Sequence, residues 1–183
     1  MNAIELLRAR NSHARLIEPG PNESELEQIL ESGLRAPDYG HLRPWEFVIV
    51  AGDRRDALGE VFAESQRLKG CEDEAVLNKA RNAPLRAPLL IAGLLRAQQS
   101  EKVSRTEQSA AVACALYGMS LASNALGFGA VWRTGPYSTD PHVVAALGGA
   151  PADEVIGYLY VGTRQGPSKV IPDTPPDSYA RYF

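Results

Sequence analysis

Cysteine and histidine, on which most metal and nucleophilic sites are built, are scarce in this chain: 2 cysteines and 3 histidines in 183 residues. Cys71 and Cys114 lie far apart and match no metal or redox spacing, so they read either as free thiols of a reducing compartment or as packing residues. His13, His41 and His142 are scattered, with no carboxylate at ligand spacing, which argues against a metal centre. No G-x-S-x-G is present, and the adjacency of Ser12 and His13 does not make a nucleophile–base dyad. No pair of carboxylates stands out for acid–base work. A Walker motif is absent. The glycine-rich "GFGAVWRTG" follows a predicted helix rather than a strand, the wrong context for a dinucleotide fingerprint.

Long runs of one kind are lacking too. Net charge is −3 with a pI near 5.7, and no basic run exists, so no nucleic-acid partner is expected. The first ten residues, MNAIELLRAR, carry acid and base and no apolar core of a signal peptide. The most apolar stretch, 109–126, is mostly alanine and includes Ser120, Ser123 and Asn124, too polar for a membrane span. The expectation is a cytoplasmic protein with no membrane partner. Neither repeats nor low-complexity segments occur. What is present is ordinary globular material, 44% hydrophobic and 22% charged, read as one domain over residues 1–183.

The patterning predicts a short amphipathic helix at 2–8 and a second one capped by Asn22 or Ser24, with Leu26, Ile29, Leu30 and Leu34 as its apolar face. A strand is expected over 45–50, helices over 55–66 and 69–81 (the latter exposed), and a strand at 88–95. The near-continuous apolar run of that last strand implies burial on both faces. The segment 107–126 is the strongest helix. It is apolar nearly all round, which implies cover on every side and hence help from a second subunit. Gly127 and Gly129 stop it, and a short strand follows at "GAVWRTG". Asp140 and Pro141 open a helix to Leu147, and "EVIGYLYVGT" is a strand. The proline-rich tail ends in Tyr179, Tyr182 and Phe183, which suits a docking arm better than a disordered end. Fold class: α+β, a central sheet flanked by helices.

Two stretches invite a chemical reading. "RARNSHARL", residues 8–16, places Arg8, Arg10 and Arg15 beside Asn11 and Ser12. That is either a phosphate-monoester site, since arginine offers forked charge-assisted bonds, or a solvated helix end whose cations suit the dipole. "RAPDYGHLRPWEFVIV", residues 35–50, enters its strand through two prolines and a glycine, with Arg35, Tyr39, His41 and Arg43 around them. That loop is either a preorganised wall for a flat, partly anionic ligand or a turn that presents Trp45 to the core.

Taken in order, "RARNSHARL", "RAPDYGHLRPWEFVIV", "KARNAPLRAPLLI", "LGFGAVWRTG" and "GYLYVGT" resemble the nitroreductase family of flavin enzymes, most closely its YdjA-like branch, over essentially the whole chain. The resemblance implies a nitroreductase-like fold, a mixed sheet with helices on both sides. It implies an intertwined homodimer with FMN at the subunit interface. Arg10, Asn11 and Ser12 match the stretch that holds the FMN phosphate and ribityl. Arg35 and Tyr39 match positions that reach the flavin bound mainly by the other subunit. Val131, Trp132 and Arg133 match a further FMN-contacting segment, and Thr134 and Gly135 the turn whose backbone amides approach flavin N5. Relatives usually carry a basic residue where this chain has Ala14, with Arg15 one place on. Around Arg43 the loop also departs from the pattern, and Arg43 either tunes substrate preference or points to solvent. The implied activity is transfer of reducing equivalents from NAD(P)H to an electron-poor small-molecule acceptor, such as a nitroaromatic or quinone, in a ping-pong sequence. Chemistry occurs at the flavin and no catalytic side chain is needed. Positive charge near N1 and O2 is expected from Arg15 or Arg10. The alternatives are a flavin reductase or specialised flavin dehydrogenase with incidental nitro reduction, a flavin-binding protein that turns over poorly, and an interaction protein without flavin.

Overall fold

A computed structural model describes residues 2–167 and 169–183. Its elements follow the sequence signals closely. Helix α1 (Ala3–Ala9) starts at Asn2 and α2 (Glu23–Gly33) at Asn22, each in a capping box with the glutamate three residues on. Strand β1 (Leu16–Ile17) lies between them and was not expected. Strand β2 (Trp45–Ala51) leads into α3 (Arg54–Leu68). The helix expected over 69–81 begins only at Glu74, because Gly70 at φ +85 ends the preceding turn and Asp73 caps α4 (Glu74–Arg81). Nor is α4 wholly exposed, since Leu77 and Ala80 are buried against α3. Then come β3 (Leu89–Leu95), α5 (Arg105–Ala125), β4 (Gly129–Arg133), α6 (Pro141–Ala146) and β5 (Glu154–Arg164). Among the described residues no helix is long and apolar enough to cross a membrane.

The sheet runs β1-β5-β3-β2, with β4 on the same edge of β5 as β1. Every ladder among the described residues is antiparallel. Strand period 2 then sorts the side chains into two cores. Val50, Leu90, Ala92, Leu94, Tyr158 and Tyr160 face α3, α4 and α6 with Leu58, Phe62, Leu77 and Val143. Leu89, Ile91, Leu159 and Val161 face α2 and α5 with Ile29, Leu116 and Met119. All of β3 is buried, as its unbroken apolar run implied.

One expected burial is different in the chain. Leu34 ends α2 at 54% exposure, because only Leu26, Ile29 and Leu30 of that stripe turn inward. Helix α5 is not covered all round by its own chain: Ala110, Cys114 and Tyr117 form an open stripe, three and four residues apart. In the tail, Tyr179, Tyr182 and Phe183 stand in the open on the single chain.

Candidate functional site

Strand β4 organises the site. Its residues alternate, so Gly129, Val131 and Arg133 share one face and pair across the ladder with Gly162, Tyr160 and Tyr158. Five residues of strand span about 13 Å. A cavity opens at each end of that face.

The first end is cationic and small. The chain leaving α1 passes over the start of β4, where the His13 amide donates to the Ala130 carbonyl at 3.0 Å. Ser12, His13, Ala14, Arg15, Gln165 and Lys169 line a cavity of about 210 Å³. A Cβ on Gly129 would lie 3.1 Å from His13 Cβ and 2.8 Å from Arg164 Cγ, so glycine here lets the loop and β5 close over the strand. Arg10 caps α1 nearby, and the Asn11 amide donates to the Ala9 carbonyl at 3.2 Å while its Oδ1 is buried without a partner. Among the described residues Arg10, Arg15 and Lys169 pair with no carboxylate. His13 is 8% exposed with both ring nitrogens unpartnered. Burial holds its imidazole below the usual range, and Arg164, Lys169 and Arg10 push the same way.

The second end is larger and aromatic. Arg133, Thr134, Pro136 and Tyr137 close one side of a cavity of about 410 Å³; Val76, Lys79 and Arg86 close another, with Tyr158 and Tyr160 at its base. Phe62 stacks on Tyr137 at 4.0 Å and meets Tyr158 edge-on at 5.6 Å, and the Tyr158 hydroxyl donates to the Tyr137 carbonyl. The Arg133 guanidinium lies 5.6 Å over the Tyr160 ring, and its Nε is buried without a partner. Burial raises the Tyr160 hydroxyl above its usual range, against the pull of Arg133 and Arg86. Lys79, Arg86 and Arg133 have no carboxylate partner among the described residues. A stiff aromatic slot rimmed by uncompensated cations suits a flat ring with an electron-rich edge.

The remaining expected residues line neither cavity. Trp132 points to the opposite face of β4 and packs on Gly157, where a Cβ would come within 1.8 Å of its Nε1. Gly135 needs its φ of +140 to begin the turn that leads to Ser138. Arg35, at the end of α2, borders a shallow groove with Gln28, Glu31 and Ser32, and Tyr39 is 67% exposed. No hydrogen bond or shared cavity among the described residues joins either to the face of β4. Their loop is held all the same. Gly40, His41 and Arg43 take positive φ, and the Asp38 carboxylate accepts the Leu42 and Arg43 amides at 3.3 and 2.7 Å. Arg43 itself is exposed.

Lys79 and Arg86 were not singled out from the sequence, nor was His13 as part of a cradle. Both cations fall within "KARNAPLRAPLLI", a stretch whose family likeness was the available signal.

A family model described as "Nitroreductase family" matches residues 8–163. The chain is 39% identical over 186 residues to an Escherichia coli (strain K12) protein named "Putative NAD(P)H nitroreductase YdjA", with 100% of each covered. A solved nitroreductase-like family protein from Bacillus cereus superposes with a TM-score of 0.83 at 19% identity, over 100% of this chain and 96% of that one. A nitroreductase with bound FMN from Bacteroides fragilis does so at 0.75 and 22%, over 100% of both chains. The two structural likenesses concern the fold; the family match and the full-length relative concern descent. The chain belongs to the nitroreductase family.

Proposed function

We propose that this chain is an FMN-dependent oxidoreductase that passes reducing equivalents from NAD(P)H to an electron-poor acceptor such as a nitroaromatic or quinone. Residues 1–183 act as one flavin-binding domain in a homodimer, and the reaction is ping-pong. The observation that carries this reading is the pair of cavities at the two ends of one face of β4. A cationic cradle stands at one end and a cation-rimmed aromatic slot at the other, spaced for a molecule with a phosphate and a flat ring. The buried, unpartnered Asn11 Oδ1, His13 ring nitrogens and Arg133 Nε are the donors and acceptors such a molecule would complete.

Ser12, Arg15 and Lys169 line the cavity that would hold the phosphate, and Arg10 would reach it from the end of α1. Val131 and Arg133 share the β4 face between the cavities, and the backbone of Thr134 and Gly135 would hold the ring at the second. When bound, FMN supplies hydride acceptance and release at N5, for which no side-chain acid is required. Lys79, Arg86 and Arg133 set positive charge against the ring's carbonyl edge. Arg15 lines the other cavity, so in this reading these three, rather than Arg15, would supply the charge near N1 and O2.

The homodimer reading rests on the open α5 stripe, on exposed Ile4, Leu7 and Leu34, and on the uncovered aromatic tail. Arg35 and Tyr39, remote from their own chain's β4 face, serve the partner's flavin. Reliance on NAD(P)H suits a cytoplasmic setting.

The test is the visible spectrum of the purified protein before and after anaerobic NADPH. A bound-flavin spectrum that bleaches, and recovers on adding a nitroaromatic or quinone, is expected, with parallel double-reciprocal plots in steady state. Tight FMN with slow bleaching by either nicotinamide would instead mean a flavin-binding protein. A protein that stays colourless after incubation with FMN and dialysis would overturn the reading.

A further inference from the structure

His13 stands out among the buried titratable groups. It is 92% covered by its 8% exposure, lines the cationic cavity, and gives neither ring nitrogen to the protein. A neutral imidazole has one donor and one acceptor nitrogen, and burying both unmade is costly unless a ligand completes them. Arg10 faces it from the end of α1, Arg164 from β5, Lys169 from the segment beyond, and Arg15 from its own loop. β4 brings only Gly129 and the Ala130 carbonyl, which the His13 backbone amide already uses. No carboxylate pairs with it among the described residues. Arg164 is turned away, its guanidinium donating to the Phe128 carbonyl at 2.7 Å and to Asn124 Oδ1 at 3.1 Å, so it fixes the wall rather than reaching a ligand.

We propose that His13 completes the phosphate cradle as a proton-taking donor: a phosphate monoester binds with His13 as the imidazolium, and each binding event draws one proton from solvent. The proposal rests on the FMN reading above. Without an anion, the surrounding cations disfavour another positive charge. A bound phosphate, carrying between one and two negative charges, reverses the local sign and favours the protonated ring, which then donates a charge-assisted bond to a phosphate oxygen. Arginine and lysine stay charged across the neutral range and cannot supply this dependence. Affinity for the phosphate therefore rises as pH falls from about 8, until the ligand itself begins to protonate near about pH 6.

The experiment is calorimetric titration of flavin-free protein with FMN and with riboflavin, between about pH 6.5 and 8, in buffers of different ionisation enthalpy. The wild type should take up as much as about one proton per FMN, with affinity falling by up to about tenfold per pH unit over the upper range. Riboflavin, which lacks the phosphate, should bind without proton uptake, and His13→Gln should bind FMN without it. FMN binding with no proton uptake and a flat pH profile overturns the proposal and leaves the flavin reading standing; no FMN binding overturns both. Should His13→Gln fail to fold, wild-type histidine NMR decides. One of the 3 histidines should titrate at higher pH with FMN or inorganic phosphate present. No shift in any of them overturns the proposal.

Discussion

At the scale of single residues, the site depends on where side chains are missing as much as where they are present. Gly129 leaves room for His13 and Arg164 to close over β4, and Gly157 leaves room for Trp132 on the other face. Gly59 does the same for α3 and α4: a Cβ there would lie 2.2 Å from the Arg81 carbonyl oxygen, a backbone atom that cannot swing aside. Because α4 carries Lys79 to the aromatic cavity, this contact also places a charge of the site. Gly59→Ala should lower stability by about 1–3 kcal/mol, as overpacking does, and weaken flavin binding with it. Urea denaturation and an FMN titration measure the two effects. Stability unchanged within a few tenths of a kcal/mol would mean that α4 moves without penalty.

At the scale of elements, Asp140 joins three pieces. Its carboxylate caps α6 through the His142 and Val143 amides, accepts the Ser65 hydroxyl of α3 at 2.7 Å, and pairs with Lys69 just beyond α3. Burial alone would raise its pKa. Lys69, Ser65 and the Val143 amide win, and hold it down to about 2. A carboxyl depressed in the folded state adds stability that is fully present above its unfolded value of about 3.9 and is lost as pH falls through the folded value. The shift corresponds to about 2 kcal/mol. Asp140→Asn should therefore lower stability near neutral pH by about that amount and by much less below about pH 2. Denaturant midpoints against pH for wild type and variant check this. Parallel curves down to the acid limit would show that the carboxylate's charge is immaterial. The Tyr137 ring lies in the same region, so loosening α6 also disturbs the wall of the aromatic cavity.

At the scale of the whole molecule, one chain leaves apolar surface with no use of its own. Ala110, Cys114 and Tyr117 line an open face of α5, and the aromatic tail lies uncovered. Small residues on that face admit close approach of another helix, and symmetric burial of one stripe against its copy suits a two-fold dimer. Cys114→Arg puts a long cation at the middle of the stripe. On the proposed dimer, it should shift the protein toward monomer by light scattering after size-exclusion chromatography and release FMN in parallel, because in that reading Arg35 and Tyr39 would no longer reach a partner's site. A dimer that survives with its flavin would place the interface elsewhere.

Much of the fold was legible because local chemistry suffices for it. Asn22 and Asp140 mark helix starts, the apolar run of β3 requires two covered faces, and Gly127 ends α5. Where local signals competed, they failed: the charged stretch at 69–81 hid the break at Gly70 and the inward side of α4, and nothing in "LI" announced β1. Family and cofactor class could be read from ordered motifs, which are linear. The site could not be, because it is made by ladder register. Only the pairing of β4 with β5 sets Arg133 beside Tyr158 and Tyr160, only the contact of α4 with α3 adds Lys79, and only the crossing of the α1 loop over Ala130 buries His13 among cations. The sequence by itself determined most of the elements, their order and the family. Tertiary structure decided which charges share a cavity, since that depends on distances between segments far apart along the chain.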